Sequence, residues 1–512
     1  MRKISGILLV MIIAFLFGDN IFAQENSLRL ELPVSSGNKP YQVCDFAEKG
    51  LLIYYRKRSD DKSIKKWSFW HYDNYFKLCW KTEVTTPEDF YFRKVEVKGG
   101  KAFFTFYNDK KKFDGDNLYL VSVDIDSKKV EKYPLKVLAK GEVEEIAISG
   151  DLVFIAVSGK KDRSKLYCYN LSSETQRTLQ LKGDEDINVI QLNVDAERDE
   201  LIMITRNKLS RRDYETHVLH YNLSGEFINS HEVNMFDNSK VINDSEYTPL
   251  AEEGYIITGT YIDANKFKPQ KEGESQVSSG LFFAKYDNEG NEIIKFHGFF
   301  DFKEFYNYVY RENISSLRKI ADKRDGDASI SVNFQLLMHP IIKKDSSFIL
   351  GVEAYYPEYH TERRYVYDYY GRMIPSYYTV FDGYRYTNAM IACFDNDGDL
   401  LWNNGVKIDN TLSYELFQRV SIVEDSDDLV LSYANEGSVV AKVIKQEKTI
   451  EPKDKYPVDL RFGRDILVSE KDAHFVKWYN EYYIYQAYQT IRNNTRKKNK
   501  RHVFVISKVI YE

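Results

Sequence analysis

Eight times along this chain a short run of apolar, β-branched or aromatic residues is followed by a polar loop and a second apolar run that turns and comes back. The first runs are GLLIYYRK (50–57), KAFFTFYN (101–108), DLVFIAVS (151–158), ELIMITRN (200–207), GYIITGTY (254–261), SFILGVEAYY (347–356), DLVLSYAN (428–435) and YYIYQAYQ (482–489). The second runs reach an aromatic residue plus Asp or Asn before turning, as in HVLHYNLSGEFINSHEV (217–233), LFFAKYDNEGNEIIKF (281–296) and AMIACFDNDGDLLW (389–402). The last two copies, SVVAKVIKQEKTI (438–450) and HVFVISKVIYE (502–512), are degenerate. Apolar runs of this length, bounded by turn residues, predict strands buried on both faces. Preceding segments such as YQVCDF (41–46), VEEIAIS (143–149) and INVIQLNV (187–194) predict one more strand per unit.

A period of about fifty residues with about four strands in each unit is the signature of a β-propeller blade. One such sheet cannot hide both faces, so each must stack on its neighbours until a ring closes. The expectation is an all-β chain folded as a single β-propeller of seven to eight four-stranded blades, eight preferred. The chain ends as the last hairpin would begin its return, and LRLELPV (28–34) has the alternation to supply the missing outer strand. The N-terminus is therefore expected to close the ring.

Strands in a blade alternate in direction, so connections from second to third strand and from blade to blade emerge on one face. Three of these are long: 263–280, 301–327 and 356–386. The second, with Phe302, Phe305, Val309, Leu317 and Ile320 at helical spacing, predicts a short helix lying on that face. Connections of this length in a compact fold carry function or lack order.

The third is the candidate site. Between 355 and 386 eleven residues are tyrosines, with Arg363, Arg364, Arg372 and Arg385 among them. Tyrosine offers a rigid contact area with a hydroxyl at its tip and arginine a planar donor fork, a pairing enriched at recognition surfaces. Alternating runs around Gly371 and Pro375 predict a projecting β-hairpin. The binding residues expected are Arg363, Arg364, Tyr365, Tyr367, Tyr369, Tyr370, Arg372, Tyr377, Tyr378, Tyr384, Arg385 and Tyr386. The competing reading is that these rings pack the hairpin onto the propeller rim.

Other motifs lead less far. FDNDGD (394–399) alternates carboxylates like a calcium loop, but YDNEGN (286–291) and YNLSGE (221–226) occupy the same place in their units. A turn between third and fourth strands, capped by the Asp or Asn side chain, is expected in preference to a metal. RNNTRKKNKRH (492–502) falls between two strands and is expected to be a solvated loop. His217 and His220 on one strand point to opposite faces and cannot share a metal. No G-x-S-x-G, H-E-x-x-H or P-loop occurs in the sequence.

Composition agrees with strands: there are 40 Tyr and 31 Phe, and only 11 Pro in 512 residues. With 72 basic against 77 acidic groups the chain offers no general surface for nucleic acid. Residues 1–23, with Arg2 and Lys3 before an apolar centre at 7–17, resemble a signal peptide. The mature chain, 24–512, is then expected outside the cytoplasm, as a periplasmic, cell-surface or secreted protein with no transmembrane segment. Cys44 and Cys79 fall in the first unit and could bridge neighbouring strands; the alternative is that all four cysteines are buried and free.

The turn CFDNDGDLLW (393–402) is similar to the D-x-x-G-x-x-x-W hairpin of secreted bacterial β-propellers with quinoprotein-like blades. Only this unit keeps the tryptophan, Trp402, so the resemblance implies the fold and no quinone cofactor. The functional expectation is a binding or scaffold propeller, non-enzymatic, that recognises a protein, peptide or glycan without cofactor or metal. The alternative is a carbohydrate-active enzyme with carboxylates in the central funnel, to be distinguished by acidic side chains clustering on the axis.

Overall fold

The computed structural model describes residues 28–510 except 36–39, 109–115, 138–140, 160–163, 180, 182–186, 210–212, 234–238, 251–253, 268–277, 288, 303–334, 494 and 496–499. The signal peptide expected at 1–23, most of the 263–280 insertion and the helix expected within 301–327 therefore lie outside the described residues. Among the described residues the chain is almost wholly strand, with helical geometry limited to single 3-10 turns at Ala47–Lys49 and Phe299–Asp301.

The strands form eight antiparallel sheets of four, the sixth carrying one extra short strand, Ile342–Lys344. In seven of them chain order is sheet order. In the eighth, Asp465–Lys477, Tyr482–Asn493 and Lys500–Ile510 are joined by Arg29–Pro33, which pairs from Arg29 opposite Ser507 to Pro33 opposite Val503. Glu31 on that strand accepts from Arg501 at 3.0 Å, and Arg501 also donates to Asp465 at 2.6 Å. One arginine of the basic 492–502 run thus serves strand pairing.

All eight first runs are second strands, and their side chains fill the spaces between sheets. Phe104 of the second sheet packs with Phe69 of the first, and Ile155 of the third with Leu120 of the second. The succession continues through Phe154 with Met203, Ile204 with Ile257, Phe283 with Leu350, Ile391 with Leu431, and Ala434 with Tyr485. A further core joins Ile484 and Phe504 of the eighth sheet to Leu51 and Ile53 of the first. Because each strand is covered from both sides, its sequence reads as a continuous apolar run. This face-to-face succession of four-stranded sheets is a β-propeller.

The turn motif is as the repeats imply. Asp395 accepts the backbone N–H groups of Asp397 at 2.9 Å and Asp399 at 2.8 Å, and Asp287 does the same for Glu289 and Asn291. These carboxylates are occupied by their own turns.

The suggested Cys44–Cys79 bridge is ruled out by strand order. Cys44 lies on the first strand of its sheet and Cys79 on the fourth, three strand spacings or roughly 14 Å apart. All four cysteines are free; Cys44, Cys168 and Cys393 are buried, whereas Cys79 is exposed.

Candidate functional site

The second and third strands of the sixth sheet do not stop at the edge of the propeller. Ser347–Tyr367 and Met373–Phe394 remain paired from Phe348 opposite Phe394 out to Tyr367 opposite Met373. The Tyr-rich segment is thus a continuation of two blade strands, and Pro375 lies within a strand, not at a turn. The turn is at 368–372, where Asp368 accepts from the N–H groups of Tyr370 and Arg372, each at 2.9 Å, and from Arg372 Nε at 3.0 Å. These bonds hold the Asp368 carboxyl below its usual range, the Arg372 N–H most of all. Gly371 takes φ of +75° in open space.

The base of this ribbon is core. Tyr386 is 1% exposed and packs with Tyr355 and Val406, while its hydroxyl donates to the Phe417 carbonyl at 2.8 Å. Tyr384 packs against the same cluster, and Arg385 pairs with Glu358. At Gly383 the backbone adopts φ of +138° and lies so close to the outer strand that a Cβ would sit 2.6 Å from the Ser413 carbonyl. Aromatic contacts climb from there: Tyr386 to Tyr355 at 5.9 Å, Tyr355 to Tyr384 at 5.7 Å, Tyr384 to Phe381 at 5.1 Å, and Phe381 to Tyr359 at 5.5 Å between centroids. Of the expected binding residues, then, Tyr384, Arg385 and Tyr386 belong to the framework.

Beyond Tyr359 and Phe381 the ribbon runs roughly 25 Å. Residues directly opposite share a face, so one face carries Arg363 with Tyr377, Tyr365 with Pro375, and Tyr367 with Met373. The other carries Glu362 with Tyr378, Arg364 with Ser376, and Val366 with Ile374. The second face balances its own charge: Arg364 donates to Glu362 at 3.2 Å and stacks on Tyr378, and His360 meets Asp382 at 2.6 Å. The first face has no carboxylate, and Arg363 has no ion pair among the described residues, only the Tyr365 ring 4.7 Å away. Tyr367, Tyr369 and Tyr370 are 75%, 95% and 78% exposed.

A second constellation, not foreseen from sequence, lies where the first strands of the second to fifth sheets meet, Tyr91–Lys98, Gly141–Ser149, Ile187–Asp195 and Lys240–Pro249. Each has a bulge at the same place, at Arg93, Glu144, Ile190 and Asn243. The extra residue turns polar side chains toward their neighbours. Lys94 pairs with Glu145 at 2.5 Å, and Gln191 donates to Glu246 at 3.0 Å. Burial pushes the Glu144 and Glu246 carboxyls up to about 7 and Asp244 up to about 6, with Glu145 adding like charge to each. The sequence signal was there in two adjacent polar residues that break the alternation, as in Glu144–Glu145 and Asn243–Asp244.

The other side of the axis is filled. The link 414–420 between the sixth and seventh sheets lies among inner strands: Gln42 donates to Glu415 at 2.6 Å, Gln418 to the Met338 carbonyl at 2.9 Å, and Arg419 Nη1 to the Ala473 carbonyl at 2.6 Å. Glu353, fully buried, accepts the N–H groups of Arg419 and Val420 at 2.9 Å and meets His339 at 2.7 Å. Arg419 sits 4.0 Å over the Phe417 ring. Burial, aided by the Arg419 charge, depresses the His474 pKa to about 3, so this histidine is neutral. Among the described residues no three His, Cys, Asp or Glu side chains are grouped to hold a metal.

No protein-family model matches the chain. No curated protein sequence matches it either. Among solved structures, the chain is similar to the β-propeller domain of the trilobed protease from Pyrococcus furiosus, described as having an open velcro topology. That likeness has 11% identity and a TM-score of 0.34, over 81% of this chain and 95% of that one. It is also similar to the polysaccharide lyase Uly1, at 8% identity and TM-score 0.39, over 82% and 89%. A third likeness, to the acylaminoacyl peptidase of Pyrococcus horikoshii, has 10% identity and TM-score 0.32 over 81% and 52%. The propeller assignment rests on the eight sheets and the cores between them. No helix among the described residues is long and apolar enough to cross a membrane.

Proposed function

We propose that the chain is an exported binding protein: a closed eight-bladed propeller, strapped by its N-terminal strand, that holds out the 359–381 ribbon to recognise a protein, peptide or glycan. The carrying observation is the asymmetry of the ribbon, one face internally ion-paired and the other presenting Tyr365, Tyr367, Tyr377 and an uncompensated Arg363. Exposed aromatic surface of this extent costs solubility and is kept where a partner covers it. The signal-peptide-like leader supports export. Ring closure is supported by the strand pairing of Arg29–Pro33 and by the core shared between eighth and first sheets.

The test is to replace 360–380 by Asn-Gly, leaving Tyr359 opposite Phe381 to flank a two-residue turn. Capture of ligand from the organism's own extracellular fraction should fall at least tenfold with the melting temperature unchanged; undiminished capture by the shortened protein would refute the reading.

A second reading, a carbohydrate-active enzyme, is supported by the axial carboxyls of Glu144, Asp244 and Glu246, held near neutral pKa as a general acid requires. Glu144→Gln or Glu246→Gln should then abolish glycan cleavage by the folded protein. Because burial raises these carboxyls, their neutral form stabilises the fold below the unfolded pKa near 4.3, and that contribution is lost as pH rises through about 7. The same substitutions should therefore raise the melting temperature at pH 8 and leave it nearly unchanged at pH 4. Failure of cleavage to depend on them would leave only this stability role.

A further inference from the structure

The free edge of the ribbon narrows the ligand class, and this step rests on the binding reading above. The outer strand Leu400–Ser413 pairs with the third strand from Phe394 to Tyr384. Past Ser413 the chain leaves that lane for the axis, where the Tyr414 N–H donates to Asp472 at 3.4 Å. Alongside Met373–Asp382 the lane is consequently empty among the described residues. A row of backbone donors and acceptors at strand spacing is matched in full only by another strand, not by a sugar chain.

Natural edges are guarded by lysine, proline or bulges. Here Pro375 guards the tip and a bulge at the charged Asp382 guards the base. From Tyr377 to Phe381 the segment YYTVF is regular, uncharged and β-forming, with no shift of register in its pairing to Tyr359–Arg363. A two-stranded ribbon is marginal in water, and a third strand is the addition that makes such a sheet stable.

Charge selects among strands. The face bearing Tyr377 and Arg363 has a cation and no anion, so an added strand places side chains of that face beside Tyr377 and about 10 Å, two strand spacings, from the Arg363 backbone. Extended arginine and glutamate side chains together span that distance. A second copy of this chain is disfavoured on the same ground, since an antiparallel copy of this edge brings no carboxylate to the Arg363 face.

We propose that the ribbon captures an extended acidic polypeptide segment, which adds as a third strand along Met373–Phe381 and directs carboxylates toward Arg363. The whole protein is titrated with a capped twelve-residue peptide of alternating Glu and Val, with its Lys and Val counterpart, and with polygalacturonate, while amide hydrogen exchange is followed. The Glu peptide should bind at least tenfold more tightly than the Lys peptide and slow exchange at least tenfold at the amides of Tyr377, Thr379 and Phe381, which alternate with the paired ones and face the empty lane. Arg363→Glu, on an exposed face, should reverse the preference. Equal affinity for the two peptides, binding without slowed exchange, or those three outward amides already protected in the free protein would each overturn the proposal. Binding of polygalacturonate alone would overturn it while sparing the binding reading, which fails instead if the ribbon-shortened protein still captures its native ligand.

Discussion

The base and the outer half of one ribbon are built from the same residue types and do opposite things. At the base, Tyr355, Tyr384 and Tyr386 join the core between the sixth and seventh sheets, and Arg385 is tied to Glu358. Farther out, Tyr365, Tyr367 and Tyr377 cover nothing and Arg363 has only a ring beside it. What differs is the neighbour. Wherever an outer strand and an adjacent sheet flank the pair, a tyrosine is a large buried side chain needing one acceptor; where both are absent, it is a contact surface awaiting a partner.

The sharpest way to break this contrast is substitution at the base. Tyr386→Ala should cost about 3–5 kcal/mol, since it empties a core position and strands the Phe417 carbonyl. Tyr377→Ala should stay within about 0.5 kcal/mol. Denaturant titration measures both, and equal losses would erase the distinction.

Next is the boundary itself. Gly383→Ala drives a Cβ against the Ser413 carbonyl at a positive φ and should cost about 2 kcal/mol or more, whereas Gly371→Ala at the open tip should cost the global fold less than about 1 kcal/mol.

Alkaline titration sharpens the comparison from the side of charge. Burial pushes the Tyr386 phenol up to about 12, above its unfolded value near 10. Its neutral form therefore stabilises fully below pH 10, and that stability is lost as pH rises through about 12, an effect of about 3 kcal/mol. In Tyr386→Phe this part of the alkaline decline should vanish; in Tyr377→Phe the decline should remain.

The smallest effect distinguishes the two faces of the outer half. Its hydrogen bond to Asp382 holds the His360 pKa above the usual value, so Asp382→Asn should return it toward 6.5 in an NMR titration without altering ligand capture. Loss of capture would assign recognition to the ion-paired face.

The eight second strands were legible because strands covered on both sides need continuous apolar runs, and the Asp turns because their chemistry is local. The ribbon was legible as a Tyr/Arg concentration, but its limits were not: nothing in YRY at 384–386 tells that the outer strand still runs beside it as far as Ser413. Reading Cys44 and Cys79 as neighbours failed for the same reason, since sequence proximity does not give strand order. The bulges left a local signal, as in Glu144–Glu145, but which of them would meet, and the burial of 414–420, are set by packing among sheets far apart in sequence. YELFQRV at 414–420 has the composition of an ordinary connection, yet Arg419 and Glu353 inside it and beneath it are fully buried.

The most direct test sets the two outer faces against each other in one capture assay. One variant replaces Arg363, Tyr365, Tyr367 and Tyr377 with Ala, the other Arg364, Val366, Ile374 and Tyr378. Both sets are on the same strands beyond the core, so general damage to the ribbon would weaken both alike. The account predicts that the first loses at least tenfold in affinity for the native ligand while the second stays within about threefold, as expected for loss of a few contact residues of about 1–2 kcal/mol each. Equal losses, or a larger loss in the second variant, would contradict it.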